Sequence, residues 1–302
     1  MTVRSVVRRL AKTVLALVGV AAFVAAGLVG LVWYQGQRIQ TGPATYVAMG
    51  SSFASGPGIT ERAEGSPILC GRSKDNYPHL LAEKLGMPLI DVSCGGAVTE
   101  HILTGGQFFQ RAQIDAVKPE TELVTITIGG NNIGYMANLF AAGCRHAPGA
   151  VPRMMRGRIC DGMAPAKQAE RFAELEGSMA AVITETRKRA PNARIILLTY
   201  QTVLPPAGTC SALVLNQAEA DEARRVAKRL YDMTVRVAQA NSAILFDAAT
   251  LTRDHGVCAA QPWLEGFVFP DSPIGNGPMA FHTNLAGMQA IADGLATALV
   301  KR

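Results

Sequence analysis

The sequence predicts a three-layer α/β/α fold around a mostly parallel sheet of about five strands, and three observations predict it. From residue 45 onward, short apolar runs alternate with longer stretches of helical spacing. The run at 123–130 is continuous and rich in β-branched residues, as a strand covered on both faces is. Strands that alternate with helices favour parallel pairing through crossovers. No internal repeat or second composition interrupts the alternation, so one domain over 45–302 is expected, long enough to bury a full core.

The elements follow in order. Residues 1–12 are basic and precede TVLALVGVAAFVAAGLVGLVWY at 13–34, an uncharged run long enough to cross a bilayer. Trp33 and Tyr34 stand where an interfacial aromatic belt would. This reads as a single-pass signal-anchor at the cell membrane, with a cytoplasmic basic segment before it and the body outside the cytoplasm. A signal peptide cleaved near Ala26 is the competing reading, in which the body would be secreted, but the apolar run continues past Val24-Ala25-Ala26. Residues 35–44 are short and polar, and read as a linker.

In the body, TYVAMG at 45–50 is the first strand and NYPHLLAEKLG at 76–86 a helix ending at Gly86. PLIDVS at 88–93 and LVTITIGG at 123–130 are the next strands. Residues 165–190 form a long helix before Pro191, and RIILLTY at 194–200 a buried strand. A charged amphipathic helix spans 214–241, then comes a strand at 242–247 and a closing helix at 283–300. Between Ile133 and Lys167 lies an insertion without clear periodicity. It holds Met136, Leu139, Phe140, Met154, Met155, Arg145, Arg153, Arg156 and Arg158. Such a segment serves as a lid or substrate wall, or as a stapled surface loop.

Charge excludes one class of function. Arg4, Arg8, Arg9, Lys12 and Arg38 account for nearly all of the net +6, which leaves the body close to neutral. A nucleic-acid binder carries its basic patch on the folded body, so no nucleic-acid partner is expected. The six cysteines, Cys70, Cys94, Cys144, Cys160, Cys210 and Cys258, are even in number and suit disulfides in an exported chain. None are spaced C-x-x-C, so neither a zinc site nor a redox pair is indicated.

Sites in parallel α/β sheets form at the carboxyl ends of strands. There the chain carries Gly50-Ser51-Ser52-Phe53, Gly95-Gly96-Ala97-Val98-Thr99 and Gly129-Gly130-Asn131-Asn132, with His282-Thr283-Asn284-Leu285-Ala286-Gly287 near the C-terminus. These are the parts of an acyl-transfer site. A serine hydroxyl needs a base within hydrogen-bond reach, and a tetrahedral oxyanion needs fixed donors such as backbone N–H groups and an amide. Singly, each block more often marks a turn, a loop or a structural histidine. Their order and strand-end placement give them joint weight.

With these blocks the chain resembles the SGNH hydrolase family, also called GDSL lipases and esterases, in its secreted actinobacterial branch. The resemblance covers roughly 44–300 and implies a flavodoxin-like sheet and hydrolysis of carboxylic esters through an acyl-enzyme, without metal or organic cofactor. It implies Ser52 as nucleophile and as a backbone oxyanion donor, Gly96 as a second backbone donor, Asn131 as a side-chain donor, and His282 as base. It also implies disulfides Cys70–Cys94, Cys144–Cys160 and Cys210–Cys258. The α/β-hydrolase signature G-x-S-x-G is absent around Ser52.

Three family carboxylates are missing. Ser51 replaces the aspartate of Gly-Asp-Ser, Asn132 that of Gly-x-Asn-Asp, and Met279 stands where the triad aspartate precedes the histidine by three. A Ser52–His282 dyad is therefore expected, with the Met279 main-chain carbonyl orienting the imidazole and Asp271 as an alternative third member. Asp254-His255 is adjacent in sequence but lacks the family's flanking residues. The expected substrate is an acyl lipid ester, with acylated polysaccharide as the alternative. A catalytically weak binding protein on the same scaffold is a different-class alternative, motivated by the three lost carboxylates.

Overall fold

The computed structural model describes residues 3–38, 42, 44–271 and 277–300. In chain order the elements are α1 (Val3–Gln37), β1 (Tyr46–Gly50), α2 (Ser52–Ser55), α3 (Tyr77–Leu85), β2 (Leu89–Asp91), α4 (Thr99–Leu103) and β3 (Leu123–Thr127). They continue with α5 (Tyr135–His146), α6 (Arg156–Ile159), α7 (Pro165–Arg189), β4 (Arg194–Leu198), α8 (Gln217–Ala240), β5 (Ile244–Phe246), α9 (Ala248–Leu251) and α10 (Leu285–Val300).

All four strand pairings are parallel, in the order β2-β1-β3-β4-β5. Every residue of β1 and β3 is buried, which is why both read as continuous runs without a charged residue. Alternate side chains feed two cores. Val47 and Met49 of β1, with Val124 and Ile126 of β3, pack against α5, α7 and α8. Tyr46, Ala48 and Leu123 pack on the other face against α3 and α10. The sheet with helices on both faces is the three-layer α/β fold the alternation predicts.

Local chemistry sets the helix ends. Asn76 caps α3 by accepting from the His79 N–H, and Gly86 ends it at φ 63° while donating to Ala82 and Glu83 carbonyls. Asn216 and Glu219 form a reciprocal capping box on α8, so this helix starts three residues later than its apolar pattern suggests. The buried faces of α7 (Phe172, Leu175, Met179, Val182) and α8 (Val226, Leu230, Met233, Val237) repeat at helical spacing and seal one side of the sheet.

Two readings change. The segment after Ile133 is not aperiodic, because Tyr135–His146 is a helix burying Tyr135, Met136, Leu139, Ala142 and Gly143. That spacing is helical, but Ala141, Ala142 and Gly143 supply part of the face and weaken the signal. The polar stretch from Gln35 is not linker at its start either: α1 runs through Gln37 and its last turn packs on the body. The remainder of the expected linker includes 39–41 and 43, which lie outside the described residues. α1 is exposed along its apolar length, and it is long and apolar enough to cross a membrane.

Candidate active site

In the strand order, β1 lies between β2 and β3, so the chain leaves β1 at the point where successive connections diverge. Ligand sites form outside such switch points. Gly50 ends β1 at φ 138°, and a Cβ there would sit 2.4 Å from the Thr127 carbonyl oxygen, so only glycine lets β1 close against β3 at this turn. The Gln113 side chain clamps the same residue, accepting from the Gly50 N–H at 2.8 Å and donating to its carbonyl at 3.1 Å. The chain then turns into α2 with Ser52 as its first residue.

His282 Nε2 stands 2.7 Å from Ser52 Oγ. Its Nδ1 is 2.8 Å from the Ala280 carbonyl oxygen. A carbonyl only accepts, so Nδ1 carries the proton and Nε2 presents its lone pair to the serine hydroxyl. The acceptor expected from sequence was the Met279 carbonyl. That oxygen instead accepts from the His282 backbone N–H at 3.1 Å, and the ring bonds one residue later. The physical reason lies between them: Phe281 adopts φ 60°, a left-handed turn that swings the Ala280 carbonyl under the imidazole. Phe281 is fully buried against Phe267 and Phe140, and its N–H donates to the Glu265 carbonyl, so packing holds the strained residue in place.

Asp271 is exposed, and among the described residues no carboxylate hydrogen-bonds either ring nitrogen of His282. Phe53 and Phe140 rings flank the imidazole at 5.1 and 6.1 Å. Burial lowers the His282 pKa from its ordinary 6.5 to about 4, against a smaller upward effect of the bond to Ala280. His282 is therefore neutral at pH 7, the state in which Nε2 accepts a proton.

Gly96 and Asn131 line the same cavity as Ser52 and His282, a cleft of about 280 Å³. Gly96 has φ 79°. Among the described residues neither its N–H nor that of Ser52 has a protein acceptor. Asn131 Nδ2 donates to the Ala97 carbonyl at 3.0 Å, which aims the amide and leaves its second proton available. The Gly95 N–H donates to Cys70, and Cys70 is bonded to Cys94, so the glycine loop is braced from two directions. The remaining disulfides are Cys144–Cys160 and Cys210–Cys258.

Two of the residues that replace carboxylates have clear roles. Asn132 Oδ1 accepts from the Thr99 N–H at 3.1 Å while its Nδ2 donates to Thr99 Oγ1 at 2.8 Å, tying the third block to the second. Ser51 Oγ lies 2.9 Å from the Tyr200 hydroxyl, which also accepts from the Gly130 N–H at 3.1 Å. Tyr200 thus joins the serine block to the asparagine block from the end of β4. Sequence reasoning missed it, since a lone tyrosine after a strand carries no motif.

Residues 48–290 match the GDSL-like lipase/acylhydrolase family. The chain belongs to this family. Its chemistry is carboxylic ester hydrolysis, and the three strand-end blocks and the His282 block sit within the matched span. Lipase 2 of Streptomyces coelicolor is 30% identical over 254 residues, covering 82% of this chain and 83% of that protein. The Streptomyces rimosus lipase is 28% identical over 226 residues, covering 74% of this chain and 77% of its own. The crystal structure of the extracellular lipase from Streptomyces rimosus shares the fold, with TM-score 0.65 and 23% identity over 86% of this chain and 99% of that one. Phospholipase A1 from Streptomyces albidoflavus NA297 superposes similarly, with TM-score 0.64 and 25% identity, over 86% of this chain and 99% of that one.

The other histidines of this GDSL-family chain serve structure. His255 stacks on Trp263 with ring centroids 3.6 Å apart and bonds the Gln261 carbonyl. His79 bonds Asn76, His101 accepts from the Val98 N–H, and His146 pairs with Glu219. The former insertion contributes Met136 and Phe140 to the cavity wall. No cluster of residues suited to a metal ion occurs among the described residues.

Proposed function

We propose that this chain is an extracytoplasmic serine esterase, tethered by α1, that hydrolyses acyl lipid esters through an acyl-enzyme on Ser52. The observation that carries the mechanism is the 2.7 Å contact between Ser52 Oγ and a His282 whose other nitrogen is held by a backbone carbonyl.

Ser52 Oγ attacks the ester carbonyl as its proton passes to His282 Nε2. The imidazolium keeps its Nδ1–H on the Ala280 carbonyl, which stabilises the cation without a carboxylate. The oxyanion takes the backbone N–H groups of Ser52 and Gly96 and the second amide proton of Asn131. His282 returns a proton to the leaving alcohol. Water then attacks the acyl-enzyme with His282 again as base, freeing the acid and restoring Ser52.

Lipid esters are favoured over glycan esters by the apolar walls from Met136, Phe140 and Leu69 and by the apolar helix attached to the domain. Basic residues before the helix and three disulfides after it support an extracytoplasmic body. A series of p-nitrophenyl esters of increasing chain length, with Ser52→Ala as control, tests the reading. Ser52-dependent turnover that favours longer chains is expected, and absence of Ser52-dependent turnover defeats it. The mass of the membrane-extracted protein, intact or shortened near Ala26, tests the tether.

A further inference from the structure

The last turn of α1 is built into the body. Gln35 Oε1 accepts from the Ile68 N–H at 3.0 Å, the Gly36 carbonyl accepts from the Arg111 N–H at 3.3 Å, and Gln37 Nε2 donates to the Phe109 carbonyl at 2.6 Å. A Cβ on Gly36 would meet the Phe109 and Phe108 carbonyl oxygens at 2.8 and 2.9 Å, so helix and loop approach to a distance only glycine permits. These contacts begin one residue after Tyr34, inside the same unbroken helix. At about 1.5 Å per residue, the docking turn lies within roughly 5 Å of the end of the apolar span.

The segments it grips are walls and supports of the catalytic cavity. Ile68, Leu69 and Cys70 line the cleft, and Gln107, which opens the turn containing Phe109, donates to the Gly95 carbonyl at 2.7 Å. Phe109 presents its ring to the outside at φ 60°, with half its surface exposed, and Leu69 is also exposed. Arg38 lies over the Tyr34 ring and shares a shallow cleft with Arg62, which puts cations beside the end of the span.

We propose that the α1 end is a rigid strut that seats Phe109 and Leu69 in the lipid interface of the chain's own membrane, so that the cavity draws its ester from the lipid surface. The inference rests on the esterase reading and on retention of α1. A flexible tether would let the body tumble. A helix hydrogen-bonded to the cavity rim fixes which face meets the bilayer, and aromatic and basic side chains suit that depth.

The test uses the full chain in vesicles of phosphatidylcholine with phosphatidylglycerol, as wild type, Gly36→Val and Phe109→Asp. Aspartate tolerates the left-handed backbone at 109. A long-chain fluorogenic lipid ester in the bilayer is compared with p-nitrophenyl acetate in solution. Each variant is expected to lose about tenfold on the lipid ester, since seating one aromatic ring in the interface is worth that much, and to stay within about twofold on the soluble one. Variants that keep the wild-type ratio of the two rates overturn the proposal. Absence of Ser52-dependent turnover of the soluble ester defeats the esterase reading instead. Quenching by brominated lipids then decides the docking alone. Trp33→Phe with Phe109→Trp is expected to be quenched more than Trp33→Phe, and equal quenching overturns the proposal.

Discussion

The Ala280 carbonyl holds His282 by its Nδ1–H at 2.8 Å, two residues away along the same loop. A main-chain group thus occupies the place of an acidic side chain. It fixes the tautomer as a carboxylate would, but brings no negative charge, so it cannot raise the pKa of the imidazole as an anion does.

The pH dependence follows from that relationship. Burial outweighs the hydrogen bond and brings His282 to about 4. The free enzyme should therefore keep its base neutral through pH 6, with kcat/KM falling only as pH drops toward 4. A profile measured on a soluble ester should show no break near 6.5. A half-maximal rate near 7 would mean that an unseen anion supports the histidine. Stability follows the same sign. The unfolded chain binds the proton below about 6.5 and the native state only near 4, so this contribution is full above the unfolded value and is lost as pH falls through the native one.

Asp271→Asn should leave kcat within about twofold, because Asp271 is exposed and the Nδ1 acceptor is a backbone oxygen. Removing the acid from a triad that depends on one costs on the order of 10⁴. Steady-state kinetics on a short ester separate the two cases by a wide margin.

The proposed oxyanion donors and their support separate by kinetics and stability. Asn131→Ala removes an amide aimed by Ala97 and should lower kcat by roughly 10²–10³ with little change in KM. Asn132→Ala breaks both bonds to Thr99 and should cost about 1–2 kcal/mol of stability. Asn132→Asp should be far milder, since a carboxylate still accepts from the Thr99 N–H and the threonine hydroxyl turns to donate. Thermal melts and kcat for the three variants check this ordering.

The sheet was legible because β1 and β3 are buried on both faces and so carry no charged residue, and the two threonines of β3 are β-branched and keep its strand pattern. The strand-end blocks were legible for a related reason: glycines are needed where backbone approaches backbone, as Gly50 does Thr127. The shift from Met279 to Ala280 was not legible. It depends on a left-handed Phe281, and nothing in a phenylalanine's identity announces that conformation, since the packing of its ring enforces it. The helix at Tyr135–His146 was half-written, as its buried face has large residues only in its first half and alanine, glycine and cysteine after Leu139. The docking of Gln35–Gln37 looked like linker because polar residues at a helix end satisfy a body's backbone as readily as they face water.

Tyr200 bridges Ser51, which stands where the family pattern has an aspartate, to the loop that carries Asn131. Its hydroxyl meets Ser51 Oγ and the Gly130 N–H, and it is buried. A Cβ on Gly130 would sit 2.6 Å from the ring, so the tyrosine packs flat against the loop carrying Asn131. Tyr200→Phe keeps that packing and removes only the oxygen, leaving the buried Gly130 N–H without its acceptor and Ser51 Oγ with only its long 3.5 Å bond to the Thr127 carbonyl. The expected cost is about 1–3 kcal/mol. Ser51→Ala alone leaves Tyr200 bonded to Gly130 and should cost less. In the double variant the hydroxyl at 51 no longer needs a partner, so its cost should fall below the sum of the singles. Denaturant unfolding of the four proteins measures that coupling, and strictly additive values would show that Ser51 and Tyr200 act independently.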